Sequence, residues 1–403
     1  MHLTRRELFM SAAAALPAMA DKKPAVRPSV LLIILEDVGS WMLGIHGNRE
    51  IRTPNLDVLA RSGARFANSY AASATAGPSR ASLLTGLAPR QAAGDQPMLS
   101  DILAGAGYEC GYAGNWAALS KPHGFKSWET APDYSSVTAK ALAFLDGRKA
   151  GHPFLAVVSH AFPSAVPSKF TDMYASVRFD TIGWERPSPR ASVNKEALQD
   201  IVGSIRKAAA GVTALDEQIP ALVRKLDERG IRDETVIVLT STNGSLLGRH
   251  GLWGDGRASE PGNMYEEVVA VPLFWQWQGR IPPESVRPEF VSAYDLVPTI
   301  CALTGTAPAA GRKLPGRSYL PAVLNQPFPK KQPWRSQVYA ESGDAAMSRD
   351  KRYKVVLRPN GPNELYDNVA DPREAVNQYD NPRFITIRDE MAREIEAWRK
   401  AFS

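Results

Sequence analysis

The chain has 403 residues, of which 44% are hydrophobic, so it is long enough to bury a large core. Charged residues make up 22% of the sequence, and the net charge of +6 is spread without any basic block. This evenly mixed charge argues against a nucleic-acid-binding protein, and no nucleic acid partner is expected. The two cysteines, Cys110 and Cys301, lack metal-site spacing, and the sequence leaves open whether they pair.

The N-terminus carries the parts of an export signal in the usual order. Arg5 and Arg6 are adjacent, an apolar stretch follows up to Leu16, and residues 18–20 (Ala-Met-Ala) form a small-x-small cleavage pattern. The arginine pair resembles a twin-arginine signal, which exports proteins that have already folded. We therefore expect residues 1–20 to be a signal peptide and the mature protein to be periplasmic or extracellular. No later segment is apolar enough over sufficient length to predict an integral membrane segment.

Strand patterns recur along most of the mature chain. Continuous apolar runs of this kind are typical of strands buried on both faces of a parallel sheet. The predicted strands cover 30–35, 154–159 and 235–240, together with the run that begins at Val269.

Helical patterns lie between these strands. One helix is predicted to begin at Pro54, with Thr53 as its cap, and to end near Gly63. A longer helical pattern runs from 195 to 229 and is interrupted by Pro220. Strands that alternate with helices predict an α/β fold, in which a mainly parallel sheet is sandwiched by helices.

The composition changes after residue 305. Proline, lysine and glycine become frequent up to residue 333, then three short strand-like pieces follow, and a helical pattern over 384–402 closes the chain. We therefore expect an α/β domain over 21–305. A smaller C-terminal α+β subdomain, with a small sheet and the final helix, is expected over 306–403.

Several motifs occur in a fixed order along the chain. They include LEDVGSWMLGIHGN, TPNLDVLARSGARFANSY, GPSRASLLTG, GYECGYAGNW, TVIVLTSTNGSLLGRHGLWG and ELYDNVADPREAVN. In this order and spacing they resemble the sulfatase family of the alkaline phosphatase superfamily, over nearly the whole mature chain. The resemblance implies hydrolysis of sulfuric esters. It also implies a large mixed, mainly parallel sheet between helices, with a small C-terminal sheet and one helix.

The resemblance implies a formylglycine nucleophile, made from a Cys or Ser two residues before Pro-Ser-Arg. Ala76 occupies that position here, so no formylglycine can form. Arg80, which the resemblance implies organises the nucleophile turn, is kept. Thr75 is an alternative nucleophile, although a shift by one residue re-aims the side chain and a hydroxyl needs a base or metal to activate it.

The resemblance also implies a calcium ion, held by an Asp-Asp pair and by Asp followed by His or Asn. Here the first pair reads Glu36 and Asp37, and the second reads Thr242 and Asn243. Glu36 is one methylene longer than aspartate, and Thr242 carries no charge, whereas calcium prefers several carboxylate ligands. Calcium is thus implied by the family, but binding is expected to be weak or absent. Alternatively, these polar groups only cap helices.

The groups that bind sulfate in the family are also changed. Asn115 and Asp255 stand where the resemblance implies lysines, and Ala117 and Ser164 stand where it implies histidines. Two unit charges about 4 Å apart interact by about 4 kcal/mol at an effective dielectric constant near 20, so an acid in place of a lysine is a large change. The sequence therefore predicts that ordinary sulfatase catalysis is lost.

Three functions remain open at this level. The first, which we expect, is an exported, catalytically impaired sulfatase-family protein whose cleft binds a sulfated or carbohydrate small ligand. The second is a sulfate or phosphate ester hydrolase that uses Thr75 as its nucleophile. The third is a structural or partner-binding protein that uses only the fold. Trp41, Trp116 and Trp253 lie near the motif loops and either stack on a sugar or pack in the core. The oligomeric state is not determined by the sequence.

Overall fold

A computed structural model describes residues 27–116 and 122–402 of the chain. The predicted signal peptide over 1–20 and the substituted position Ala117 therefore lie outside the described residues. Two β-sheets organise the rest, one large and one small.

The large sheet has eight strands in the order β4-β3-β5-β1-β6-β7-β2-β8 within the described chain. The strands are β1 Ser29–Leu35, β2 Ala64–Tyr70, β3 Glu109–Gly114, β4 Ser127–Glu129, β5 Phe154–His160, β6 Thr235–Ser241, β7 Leu273–Gln276 and β8 Ser285–Ser292. Strand β7 runs antiparallel to β6 and β2, whereas the other neighbouring strands are parallel. The prediction of a mixed, mainly parallel sheet is therefore confirmed.

Helices cover both faces of this sheet. They are α1 Pro54–Arg61, α2 Ala76–Thr85, α3 Leu99–Gly105, α4 Tyr134–Gly147, α5 Ser168–Thr171, α6 Lys195–Gln199, α7 Ile201–Asp216, α8 Ile219–Glu228, α9 Glu266–Val269, α10 Leu296–Thr304 and α11 Leu320–Val323. Side chains of β1 alternate between two cores: Leu31 and Ile33 pack with α1, α4, α7 and α8, while Leu32 and Ile34 pack with α2, α3 and α10. This two-sided burial explains why β1 is a continuous apolar run.

The helical pattern over 195–229 is divided into three helices, α6, α7 and α8. The sequence pattern predicts one long helix over this range, interrupted by Pro220. Instead, Pro220 lies in the first turn of α8, where a residue without an N–H group costs no helical hydrogen bond. The proline therefore begins a helix.

The N-terminus of α1 is capped by a residue that is distant in sequence. The Asp216 carboxylate accepts hydrogen bonds from the backbone N–H groups of Leu56, at 2.7 Å, and Asn55, at 3.2 Å. Thr53 was predicted to be the cap, but its hydroxyl oxygen instead accepts a hydrogen bond from the Gly44 N–H at 2.9 Å. Tertiary contacts thus replace the local cap that the sequence suggests.

The small sheet contains four antiparallel strands in the order β12-β11-β10-β9. Its strands are β9 Val338–Ser342, β10 Ala345–Arg349, β11 Tyr353–Leu357 and β12 Glu364–Asp367, and helix α12 Ile385–Ala401 packs on it through Met391 and Ile395. A C-terminal subdomain with a small sheet and a final helix is thereby confirmed, whereas its start at residue 306 stays a prediction. The sequence patterns identified three of the strands and missed β10.

Two smaller features complete the described chain. Cys110 and Cys301 are both buried and free, so they do not pair with each other. No helix within 27–116 and 122–402 has the length and apolar character needed to cross a bilayer.

Candidate functional site

The candidate site lies at the carboxyl edge of the parallel strands. Leu35, the last residue of β1, pairs in register with His160 of β5 and Ser241 of β6, and Gly114 of β3 pairs with Ser159. The segments that follow these strands therefore leave the sheet side by side. They carry the sequence-predicted residues Glu36, Asp37, Asn115, Thr242 and Asn243.

Glu36 contacts the helix that begins at Ala76, where the resemblance implies the nucleophile. Its Oε2 lies 2.9 Å from Nη2 of Arg80, and the Arg80 side chain is fully buried. Arg80 is in α2, one helical turn after Ala76, so this ion pair joins the end of β1 to the start of α2. The structure thus brings three predicted site residues together.

Asp37, Thr242 and Asn243 form a second contact network. The Asn243 Nδ2 donates to Oδ1 of Asp37 at 2.6 Å, and the Asn243 Oδ1 accepts from the Thr242 hydroxyl at 2.8 Å. Burial, helped by the nearby carboxylates of Asp255 and Glu36, raises the pKa of Asp37 to about 7, against the opposing effects of the Asn243 hydrogen bond and the Arg257 charge. An ionised Asp37 is thus costly in this arrangement.

Two glycines allow the loops of this network to approach one backbone oxygen. A Cβ atom at Gly244 would lie 2.1 Å from the Glu267 carbonyl oxygen, and one at Gly39 would lie 2.6 Å from it. Any side chain at either position would displace backbone atoms. The loops after β1 and β6 are therefore both positioned by the α9 backbone.

His250 packs against the side chains of Tyr265 and Glu267. Its ring stacks on Tyr265 with a centroid distance of 3.6 Å, and its Nε2 lies 3.4 Å from Oε2 of Glu267. Burial alone would raise the pKa of Glu267, but the hydrogen bond from His250 and the charges of His250 and Arg249 outweigh it and hold the pKa at about 2. His250 thus serves to fix α9.

These residues do not fit the calcium cage that the resemblance implies. Calcium takes six to eight oxygen ligands, usually with several carboxylates. Here Glu36 is engaged by Arg80, and Asn243 presents its amide nitrogen, not its oxygen, to Asp37. Within the part of the chain that the structure describes, no group of three or more His, Cys, Asp or Glu side chains is placed to hold a metal.

Asp255 is paired with an arginine that the sequence reasoning missed. Arg257 Nε lies 3.1 Å from each carboxylate oxygen of Asp255, and its Nη2 lies 2.9 Å from Oδ2. The negative charge at the position where the resemblance implies a lysine is thus balanced two residues later. The signal was visible as Asp-Gly-Arg directly after the HGLWG motif.

The turn at the start of α2 presents Ala76 in its first helical position. Ala76 is buried, and its methyl group offers no nucleophile. Thr75 is the residue before the helix, and its hydroxyl lies 3.2 Å from the Ser73 hydroxyl. Neither hydroxyl is a base strong enough to activate the other, so this contact does not supply what the alternative nucleophile requires.

Two pockets that share Pro163 and Ser164 form a groove along the loop after β5. Asn115 and Ser164 line one small pocket together with Tyr134 and Pro163. An adjoining cavity of about 480 Å³ shares Ser164 and is lined further on by Lys207 and Trp253 among others. The structure thus brings Asn115 and Ser164 to one surface.

The three tryptophans near the motif loops have different surroundings. Trp116 packs edge-on against Tyr112 and Trp128, with a centroid distance of 4.4 Å to Trp128. Trp41 lies under the Arg249 guanidinium at 3.9 Å. Trp253 lines the 480 Å³ cavity. Trp253 is therefore the one of the three that is placed to meet a ligand in that cavity.

Comparisons with known proteins agree with the fold and with the motifs. Residues 28–306 match the family described as Sulfatase, and 248–401 match the C-terminal region of N-sulphoglucosamine sulphohydrolase. The N-acetylglucosamine-6-O-sulfatase of Bacteroides thetaiotaomicron is 24% identical, covering 96% of this chain and 88% of its own. Human arylsulfatase A is 28% identical, covering 79% of this chain and 71% of its own.

Solved structures show the same architecture. One, a protein in complex with its substrate D-glucosamine-2-N,6-O-disulfate, superposes with a TM-score of 0.80 at 23% identity, covering 93% of this chain and 98% of its own. The phosphonate monoester hydrolase of Agrobacterium radiobacter gives a TM-score of 0.78 at 20% identity, covering 94% of this chain and 96% of its own. At these identities the likeness shows the fold, while the matched family region spans more than half of the chain. The chain therefore belongs to the sulfatase family, within the alkaline phosphatase superfamily.

Proposed function

We propose that this sulfatase-family protein binds a sulfated sugar without hydrolysing it. The observation that carries the proposal is the methyl group of Ala76 in the first position of α2, four residues before the buried Arg80. Covalent sulfatase chemistry needs an oxygen nucleophile at this point, and Ala76 cannot supply one.

The altered charges around Ala76 support the same conclusion. Asn115 is neutral, and Asp255 is occupied by its ion pair with Arg257. Together with Thr242 and Ala117, these substitutions remove charges and proton donors that the resemblance implies for sulfate ester cleavage. Positioned acid–base groups each contribute about 10²–10⁴-fold to catalysis, so their combined loss leaves little rate enhancement.

The groove supports the choice of ligand. Lys207 supplies a positive charge to the 480 Å³ cavity, and Trp253 supplies an aromatic wall, which together suit a sugar that carries a sulfate group. The Bacteroides relative is an N-acetylglucosamine-6-O-sulfatase, and one structural neighbour is bound to a disulfated glucosamine. A sulfated glucosamine is therefore the class of ligand to test first.

Calorimetric titration with D-glucosamine-2-N,6-O-disulfate tests this proposal, with D-glucosamine as the unsulfated control. We expect heat of binding with the sulfated sugar and no release of inorganic sulfate. Trp253→Ala and Lys207→Gln should each weaken binding. Lys225→Gln, in α8 and paired with Asp146 and Glu228 away from this cavity, should not. Equal affinity for both sugars, or sulfate release, would contradict the proposal.

We also propose that the protein is exported through the folded-protein route before it meets this ligand. The support is the order of Arg5, Arg6, the apolar stretch and the cleavage pattern at 18–20. Replacement of both arginines by lysine should retain the precursor in the cytoplasm. Unchanged export of that variant would argue against this route.

A further inference from the structure

A cavity of about 420 Å³ lies at the amino edge of the large sheet. Its lining includes residues that lead into four parallel strands: Ser29 begins β1, Gly107 lies just before β3, Pro153 just before β5 and Glu234 just before β6. The candidate site lies where these same strands end, so the two sites are on opposite edges of the sheet. A ligand in this cavity would not occupy the sulfatase groove.

The lining of the cavity carries more positive than negative charge. Arg27, Arg148 and His152 contribute basic side chains, whereas Glu234 is the carboxylate among the described lining residues, and it is exposed. Neither arginine forms an ion pair with a carboxylate in the part of the chain that the structure describes. The cavity therefore lacks counter-charge for its arginines.

Arg148 is the buried member of this set. It is 8% exposed, and its Nε has no hydrogen-bond partner among the described residues. Its Nη1 makes one long contact, 3.4 Å, to the Lys149 carbonyl oxygen, and its Cζ lies 5.3 Å from the centre of the Phe154 ring. A buried guanidinium without an anion is costly, because burial removes the water that would solvate its charge. An anion in the cavity would supply the missing counter-charge.

Glu109, at the start of β3 on the same edge of the sheet, does not fill this role. Its Oε1 lies 3.1 Å from Nζ of Lys126, and its Oε2 accepts a hydrogen bond from the Lys149 backbone N–H at 3.1 Å. Both carboxylate oxygens are thus engaged by groups other than Arg148.

Ser29 and Arg27 add further donors to the lining. The Ser29 side-chain oxygen accepts a hydrogen bond from the Phe154 N–H at 3.2 Å, and no acceptor for its own hydroxyl hydrogen lies in the described chain. Arg27 donates through Nη1 to the Ala106 carbonyl at 2.9 Å, which leaves the other N–H groups of its guanidinium for a ligand. The fixed hydroxyl and two guanidinium groups therefore line one cavity.

We propose that this cavity binds a small tetrahedral oxyanion, phosphate or sulfate, through Arg148, Arg27 and Ser29. The N–H fork of arginine matches two oxygens of such an anion, and a charge-assisted hydrogen bond is stronger than a neutral one. A volume of about 420 Å³ admits the anion with water or with a small organic group attached. The proposal is independent of sugar binding in the groove, because it concerns the opposite edge of the sheet and other residues.

Calorimetric titration with inorganic phosphate tests this proposal, with the ionic strength held constant by sodium chloride. We expect saturable binding of one phosphate to the wild type. Arg148→Gln should weaken this binding by about 10–100-fold, because it removes charge-assisted hydrogen bonds. Arg27→Gln should weaken it by a smaller factor. Since Arg27 is exposed, this variant carries the test if Arg148→Gln does not fold.

Two further titrations identify the form in which the anion binds. Inorganic sulfate should compete with phosphate, because both are tetrahedral dianions. If D-glucose 6-phosphate binds more tightly than phosphate, the cavity accepts the anion as the end group of a small molecule. If it binds more weakly, the cavity accepts the free ion.

Arg352 is a matched control, because its guanidinium pairs with Asp367 in the small sheet. Arg352→Gln removes the same charge as the cavity variants and should bind phosphate as the wild type does. The proposal would be overturned if the wild type did not bind phosphate, or if Arg352→Gln lost binding equally. It would also be overturned if Lys207→Gln lost binding while the Arg148 and Arg27 variants kept it, since the anion would then lie in the groove.

Discussion

Arg80 holds the carboxylate of Glu36 at 2.9 Å and directs it toward the start of α2. The pair is formed from a buried arginine and a mostly buried glutamate, and it connects the end of the central strand β1 to the helix that begins at Ala76. Glu36 is therefore engaged in an internal ion pair at the position where the resemblance implies a metal ligand.

Removing the charge of Glu36 should destabilise the protein. Glu36→Gln removes the charge of one partner of a buried ion pair, which typically costs about 3–5 kcal/mol in the free energy of unfolding. Chemical denaturation should show this loss. Glu217→Gln breaks an exposed pair with Lys169 and should cost at most about 1 kcal/mol. A Glu36 variant as stable as the Glu217 variant would show that the Arg80 pair contributes little.

Glu267 should make stability depend on acidic pH. Its pKa is about 2 in the folded protein against an ordinary value of 4.5, so the folded state favours the ionised carboxylate. The stabilisation is fully present above pH 4.5 and is lost as the pH falls toward 2, by up to about 3 kcal/mol. The Glu267→Gln variant should be less stable than the wild type at neutral pH. Its free energy of unfolding should also change less as the pH falls from 4.5 toward 2. If the variant shows the same dependence of stability on pH, other carboxylates cause that dependence.

Gly244→Ala should destabilise the loop after β6. The new Cβ would lie 2.1 Å from the Glu267 carbonyl oxygen, which is backbone and must move. Overpacking of this kind costs about 1–3 kcal/mol. Gly105→Ala is the control, because a Cβ there meets no atom within 4 Å, and it should be neutral or slightly stabilising. Equal stabilities of the two variants, measured by denaturation, would contradict the close approach.

Restoring the nucleophile precursor alone should not restore sulfatase activity. Ala76→Cys, produced with the enzyme that generates formylglycine, still lacks the charges that the resemblance implies at Asn115 and Asp255. Electrostatic stabilisation of developing charge is often the largest contribution to catalysis. The combination with Asn115→Lys, Ala117→His, Thr242→Asp and Asp255→Lys is the variant expected to gain activity. Sulfate release by Ala76→Cys alone would show that the remaining site is sufficient.

The central strands β1, β5 and β6 were predictable because they are continuous apolar runs, and β1 packs against helices on both faces. Strands such as β2 and β8 have exposed residues among more buried ones, and the apolar pattern did not identify them. Strand β10 was missed because Ala, Met and Ser give it no strong strand pattern, and its pairing with β9 and β11 defines it. The cap of α1 by Asp216 was missed for a similar reason, since the two lie far apart in sequence.

The candidate site was predictable in part. Motif order located Glu36, Asp37, Thr242 and Asn243, and the parallel register brings the segments that carry them to one edge. The partners of these residues were not predictable, because the direction of each side chain depends on tertiary contacts. Asp255 illustrates this point: sequence comparison identified it as a reversed charge, whereas the structure pairs it with Arg257.

The most direct test of the central claim is the release of inorganic sulfate from an aryl sulfate and from a disulfated glucosamine, measured for the wild type and for Thr75→Ala. We predict that both proteins release sulfate at the rate of buffer alone, because Ala76 provides no nucleophile and the Ser73 hydroxyl that contacts Thr75 is too weak a base to activate it. Clear turnover by the wild type would contradict the claim. If Thr75→Ala abolished that turnover, the threonine would be the nucleophile.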